Sequence, residues 1–171
     1  DTPTPGGGSA GAVSAAMGCA LLMMAAAVSA RSKKVADEHK PSLLKAVEEF
    51  KADKAILQAC ISEDSRAYDL FTEAATLPKG SPERAEKMQS ALRYAAEVPL
   101  KTAQTAYRCV QVLHEIEPKL SPNVASDFKS AGFLLDAGIK CAVENVHINM
   151  AMIKDEGVVS GLKAELAKMG V

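Results

Sequence analysis

Five successive stretches of this chain read as α-helix, the first as an uncharged run and the other four by the recurrence of apolar positions at helical period. The first follows Thr2-Pro3-Thr4-Pro5-Gly6-Gly7-Gly8-Ser9 and carries no charge from Ala10 to Ala30. It predicts an Ala-rich helix from Ser9 to about Glu38. Ser9 is the expected N-cap, because a serine hydroxyl can accept from an orphan N–H of the first turn. Small residues on all sides suit a central helix held closely by neighbours. The second stretch, Ser42 to Thr76, carries Leu43, Val47, Phe50, Leu57, Ile61, Tyr68 and Phe71 in 3-4 alternation. Lys54 and Asp64 fall in phase with this seam. A lysine can snorkel outward. An aspartate is too short for that, so Asp64 needs a partner, water or a chemical role, unless the stripe twists and releases it to solvent.

Leu77-Pro78-Lys79-Gly80 breaks the pattern, and Ser81-Pro82-Glu83 reads as N-cap, first-turn proline and first-turn acid. The third helix then carries Met88, Leu92 and Ala95, and in the same phase Thr102, Cys109 and Ile116. Because the phase continues through Pro99, one kinked helix is expected, with the Ala95 carbonyl deprived of its usual donor. Ser121-Pro122-Asn123 opens a fourth helix, expected to reach about Lys154, with Phe128, Leu135, Ile139, Ala142 and Val146 on its apolar side. Asp127 and Asn145 share another face, with Gly138 between them and Asn149 a turn beyond. At helical rise the first two lie roughly 27 Å apart, so they serve opposite ends of a long ligand or meet through an antiparallel partner. The alternative is a solvated polar face. After Gly157 a short amphipathic helix carries Val159, Leu162, Leu166 and Met169.

The fold class expected is therefore all-α: an up-down bundle of four long helices plus a short C-terminal helix, one domain over residues 1–171. A thin bundle of such long helices leaves apolar flanks, so a homodimer is expected.

Composition narrows the function. Net charge is −1 and Trp is absent, which removes the bulk electrostatics and the stacking platform of a nucleic-acid binder. The Ala10–Ala30 run is long enough to span a membrane. Its Ala, Gly and Ser content and the lack of flanking aromatics argue against that reading. No signal peptide is expected, since the chain starts at Asp1 without a basic region. Cys19, Cys60, Cys109 and Cys141 are widely spaced, which fits reduced thiols in the cytoplasm. They and His39, His114 and His147 lack the spacing of a zinc site, so no metal is expected. The glycines before Ser9 allow close approach of a ligand, and the following helix N-terminus makes the loop a candidate anion site.

Several motifs occur in a fixed order: Thr4-Pro5-Gly6-Gly7-Gly8-Ser9; Asp64 with Ala67-Tyr68; Leu77-Pro78-Lys79; Val98-Pro99-Leu100; Asn123, Ser126 and Asp127; Asn145 and Asn149; Lys154-Asp155-Glu156. The ordered set spans most of the chain and resembles the formiminotransferase-cyclodeaminase family, in its helical cyclodeaminase domain. A Gly-Lys-Lys-Lys-Tyr-like segment common in that family is Ser32-Lys33-Lys34-Val35 here. The resemblance implies conversion of 5-formimino-tetrahydrofolate to 5,10-methenyl-tetrahydrofolate with loss of ammonia. The alternative is hydrolysis of the methenyl form to 10-formyl-tetrahydrofolate, as a methenyltetrahydrofolate cyclohydrolase. No cofactor beyond the tetrahydrofolate substrate is implied, polyglutamylated forms included, and a separate formiminotransferase is a possible partner. Asp64 and Asp127 are the expected acid/base or charge-stabilising carboxylates, with Lys79 assisting. Asn123, Ser126, Asn145 and Asn149 are expected to bond the pterin edge or the aminobenzoyl amide. Gly6, Gly7, Gly8 and Ser9, with Lys33 and Lys34, are expected to hold the glutamate tail. Two rivals are a non-catalytic helical scaffold and a membrane-associated protein using Ala10–Ala30.

Overall fold

A computed structural model describes residues 4–171; residues Asp1, Thr2 and Pro3 lie outside the described part. Five helices follow in order: α1 Gly7–Arg31, α2 Lys40–Thr76, α3 Pro82–Ile116, α4 Ala125–Met150 and α5 Glu156–Lys168. Short 3-10 turns precede α2 and α4 and follow α3. No strand occurs among the described residues. The four long helices run up and down, which the cross-links demonstrate. Ser9 of α1 meets Asp64 of α2 while Cys19 meets the Phe50 carbonyl. At the far end Ser29 of α1 accepts from the Ser121 amide just before α4.

α1 packs on α2 and α4 and also touches α3 across the diagonal of the bundle. Glycine makes this approach possible. A β-carbon on Gly138 would lie 2.9 Å from the Ala15 nitrogen and from the Gly11 carbonyl oxygen, both backbone atoms that cannot step aside. α1 is long and apolar enough to cross a bilayer, yet 44% of its most apolar window is buried inside the bundle.

The expected boundaries shift in three places. α1 stops at Arg31 rather than near Glu38: Ser32 is extended and its hydroxyl accepts from the Lys34 amide, which turns the chain. Ser9 is not the N-cap. Gly6 occupies that position, and Ser9 lies inside the first turn, where its amide and hydroxyl serve another helix. Finally α4 covers Ala125–Met150, with Pro122–Val124 wound as a 3-10 turn, so it does not reach Lys154. Ser81 does cap α3, accepting from the Arg84 amide, and α3 continues unbroken through Pro99.

The seam of α2 also lies one residue aside from the expected track. Leu43, Phe50 and Leu57 are buried, but Ala46, Asp53, Cys60, Ala67 and Ala74 complete the buried line instead of Val47, Lys54, Ile61 and Tyr68. Small side chains let α1 and α3 close in on that side. The buried charge of α2 is therefore Asp53, which accepts from Nε of Arg108 at 3.1 Å. That hydrogen bond holds the guanidinium above its usual pKa.

Candidate active site

The first turn of α1 ends against α2 and α4. The Ser9 amide donates to Asp64 Oδ2 at 2.7 Å, and the Ser9 hydroxyl lies 2.8 Å from the same oxygen. The hydroxyl also lies 3.2 Å from the Ile61 carbonyl, so its one proton is shared between two acceptors. A side-chain carboxylate thus fills the anion position that a helix N-terminus offers. Gly8 is what allows it: a β-carbon there would meet Asp64 Oδ1 at 2.1 Å. Gly7 has the same relation to α4, where a β-carbon would lie 2.9 Å from Asn145 Nδ2.

The proline kink supplies the other side. Pro99 has no N–H for the Ala95 carbonyl, and Asn149 Nδ2 donates to that oxygen at 2.8 Å. The same nitrogen lies 2.8 Å from the Asn145 carbonyl. With both N–H groups of Asn149 committed, its amide oxygen is the group left to accept from a ligand. Asn145 Nδ2 donates to the Cys141 carbonyl.

These groups surround a cavity of about 220 Å³. Asp64, Asn145 and Asn149 give it polar points, and Tyr68, Phe71 and Leu92 give it apolar walls. Among the described residues no Lys, Arg or His lines it. It therefore suits a cationic or proton-donating ligand. A wider, open groove of about 950 Å³ lies on the other side of the α2–α3 contact. Arg93 there pairs with Glu97 and Lys87 pairs with Glu83, while Arg66 and Glu73 stand without an ion pair among the described residues.

The expected site residues fall into two sets. Gly6, Gly7, Gly8, Ser9, Asp64, Asn145 and Asn149 meet at one end. Asn123, Ser126 and Asp127, around the start of α4, lie at the opposite end of the bundle, as do the exposed Lys33 and Lys34 after α1. Lys79 is exposed on the α2–α3 turn, at the Asp64 end but outside the cavity. Tyr68, read as a stripe residue and as part of the Asp64 motif, and Phe71, read as a stripe residue alone, both line the cavity; their phase with Asp64 was the available signal. Among the described residues no His/Cys/Asp/Glu group suited to a metal was found.

Fold and site together describe an all-helical bundle that holds a carboxylate at a helix N-terminus beside a cavity. The formiminotransferase-cyclodeaminase family model matches residues 1–168. The chain is 34% identical to the methenyltetrahydrofolate cyclohydrolase of Methylorubrum extorquens, over 90% of this chain and 75% of that protein. It is 33% identical to the mouse formimidoyltransferase-cyclodeaminase, over 89% of this chain but 29% of that protein. A crystal structure of formiminotetrahydrofolate cyclodeaminase from Thermotoga maritima superposes with a TM-score of 0.89 at 29% identity, covering 99% of this chain and 82% of the other. The chain belongs to the formiminotransferase-cyclodeaminase family.

Proposed function

We propose that this chain is a folate one-carbon enzyme that closes 5-formimino-tetrahydrofolate to 5,10-methenyl-tetrahydrofolate and releases ammonia. The observation that carries the proposal is Asp64, a carboxylate fixed by the Ser9 amide and hydroxyl in a cavity that no cation lines among the described residues. In the protonated substrate, N10 attacks the formimino carbon and a five-membered ring forms. Asp64 takes the proton from N10 and delivers it to the amino group, whose bond to carbon then breaks with loss of ammonia. Substrate amidinium and methenyl product carry the same single positive charge, so this one proton transfer balances the step. The Asp64 carboxylate then faces the cation. Asn145 and Asn149 meet the polar edge of the pterin, and Tyr68 and Phe71 cover its faces.

Asp127, with Asn123 and Ser126, completes the site from an antiparallel second copy of the chain. Two observations support this. A single chain keeps Asp127 and Asp64 at opposite ends. Large apolar side chains also stand exposed on α1 and α4, among them Met17 at 56%, Phe133 at 75% and Ile148 at 63%. Lys79 orients a carboxylate from the α2–α3 turn. The enzyme works in the cytoplasm without a further cofactor, on substrate made by a separate formiminotransferase.

A second reading, hydrolysis of the methenyl form to 10-formyl-tetrahydrofolate, is supported by the similarity to the Methylorubrum cyclohydrolase. One experiment separates the two. Methenyl formation is followed by ultraviolet absorbance from 5-formimino-tetrahydrofolate, with ammonia measured in parallel, and methenyl loss is followed in the hydrolytic direction. Methenyl accumulation with ammonia supports the cyclodeaminase, and catalysed methenyl loss alone supports the cyclohydrolase. A folded protein inactive in both directions sinks the catalytic reading.

A further inference from the structure

At about 220 Å³ the Asp64 cavity is smaller than the ~300–1,000 Å³ typical of ligand sites. It has room for a ring system and little more. It does not end blindly. Phe71, Leu92 and Met152 also form the wall of a second, open trough of about 460 Å³ that runs to the α2–α3 turn. The two spaces are opposite in charge. Among the described residues, the cavity holds the carboxylate of Asp64 and no cation, while the trough holds Arg84 and Lys154 and no Asp or Glu. Neither cation takes part in an ion pair among the described residues. Arg84 is spent on structure: its Nη1 donates to the Ala75 and Leu77 carbonyls and closes the end of α2. Lys154 keeps its ammonium group free.

The position of Lys154 is fixed even though its side chain is exposed. Gln89 of α3 grips the chain on both sides of Ile153, its Nε2 donating to the Met152 carbonyl and its Oε1 accepting from the Lys154 amide at 2.8 Å. The same clasp therefore sets Met152, the wall shared by both spaces, and Lys154 at the outer end. Asp155, next in sequence, is turned away to cap α5 through the Gly157 and Val158 amides.

A negative inner end, an apolar middle and a positive outer end form a mould for a molecule with the reverse polarity. Resting on the folate reading, we infer that the trough is the subsite for the aryl-glutamate tail of the substrate, with Lys154 as the anchor of its carboxylate. Gln89 is a positioning residue for that anchor. The tail then leaves the glycine loop free, as it must, because the anion position there is filled by Asp64.

The test compares 5-formyl-tetrahydrofolate with 5-formyl-tetrahydropteroate, which lacks the glutamate, by equilibrium binding to the full chain. The wild-type protein is expected to prefer the glutamate form about three- to tenfold, the range of an exposed charge-assisted contact. Lys154→Gln is expected to abolish that preference without weakening the glutamate-free ligand. Lys154→Arg should retain it, and raised salt should erode it. Equal wild-type affinity for the two ligands, or an undiminished preference in Lys154→Gln, overturns the tail subsite and leaves the folate reading standing. Failure of the wild-type protein to bind either ligand overturns the folate reading and the subsite with it.

Discussion

At the scale of single residues, the site depends on hydrogen atoms where β-carbons would otherwise be. Gly8 is needed because Asp64 Oδ1 lies where its side chain would start. Gly8→Ala leaves the helix free to form, since alanine has the better helix propensity. What must move is the carboxylate. Turnover is therefore expected to fall at least ~100-fold, as for loss of a general acid or base, while the urea midpoint changes little. A variant with normal turnover would show that the position of Asp64 is not critical. The thiols give a second residue-scale prediction. Cys141 is exposed, and Cys19, Cys60 and Cys109 are buried. Burial pushes the Cys60 thiol up, and the Cys19 contact followed by burial pushes the Cys109 thiol up. A higher pKa means less thiolate near neutral pH and so slower alkylation. A thiol reagent should show one fast phase, absent in Cys141→Ser, with the remaining cysteines reacting only as the bundle opens. Two fast phases would mean that the core opens locally.

At the scale of elements, the kink in α3 and the asparagine of α4 form one device. Pro99 removes a donor, and Asn149 replaces it from a different helix. Asn149→Ala alone should cost about 1 kcal/mol, the loss of a hydrogen bond to a half-buried carbonyl. In Pro99→Ala the new backbone N–H can return to Ala95, so the second substitution should then cost less. A coupling near ~1 kcal/mol in a chemical-denaturation cycle is expected, and strict additivity would show that the bond contributes nothing. Half of this device was legible beforehand. Phase continuity through Pro99 predicted both the single helix and the orphaned Ala95 oxygen, because helical period is a local property. The identity of the replacement donor was not legible, because Asn149 reaches Ala95 only through tertiary packing. The α2 seam failed for a related reason. The large residues Val47, Ile61 and Tyr68 mark an apolar track, but Ala46, Cys60 and Ala67 mark the tighter contact, and Asp53 is buried with them. Ser9 was legible as important and misplaced as a cap, since its partner Asp64 lies on another helix.

At the scale of the whole molecule, the two sets of expected site residues lie at opposite ends of a bundle whose long axis no side chain can cross. Either Asp127 has no part in the chemistry, or a second copy presents it. An antiparallel pair with two-fold symmetry would form two identical composite sites, each with Asp64 from one chain and Asp127 from the other. Such an arrangement has a consequence that a single-chain site lacks. Asp64→Asn and Asp127→Ala should each be inactive alone. In a mixed dimer one site loses both carboxylates, and the other regains both from undamaged chains. Random exchange of equal amounts makes about half the dimers mixed, each with one working site, so about a quarter of wild-type activity should return on mixing. The recovery should require conditions in which subunits exchange and should be lost on dilution below the dimer dissociation constant. Recovery on mixing, read with the methenyl absorbance assay, would place Asp127 opposite Asp64 across the interface. Two active chains mixed under the same conditions control for exchange damage. If the Asp127→Ala chain is fully active by itself, the site is complete within one end of the bundle, and Asp64 with its asparagines carries the reaction alone.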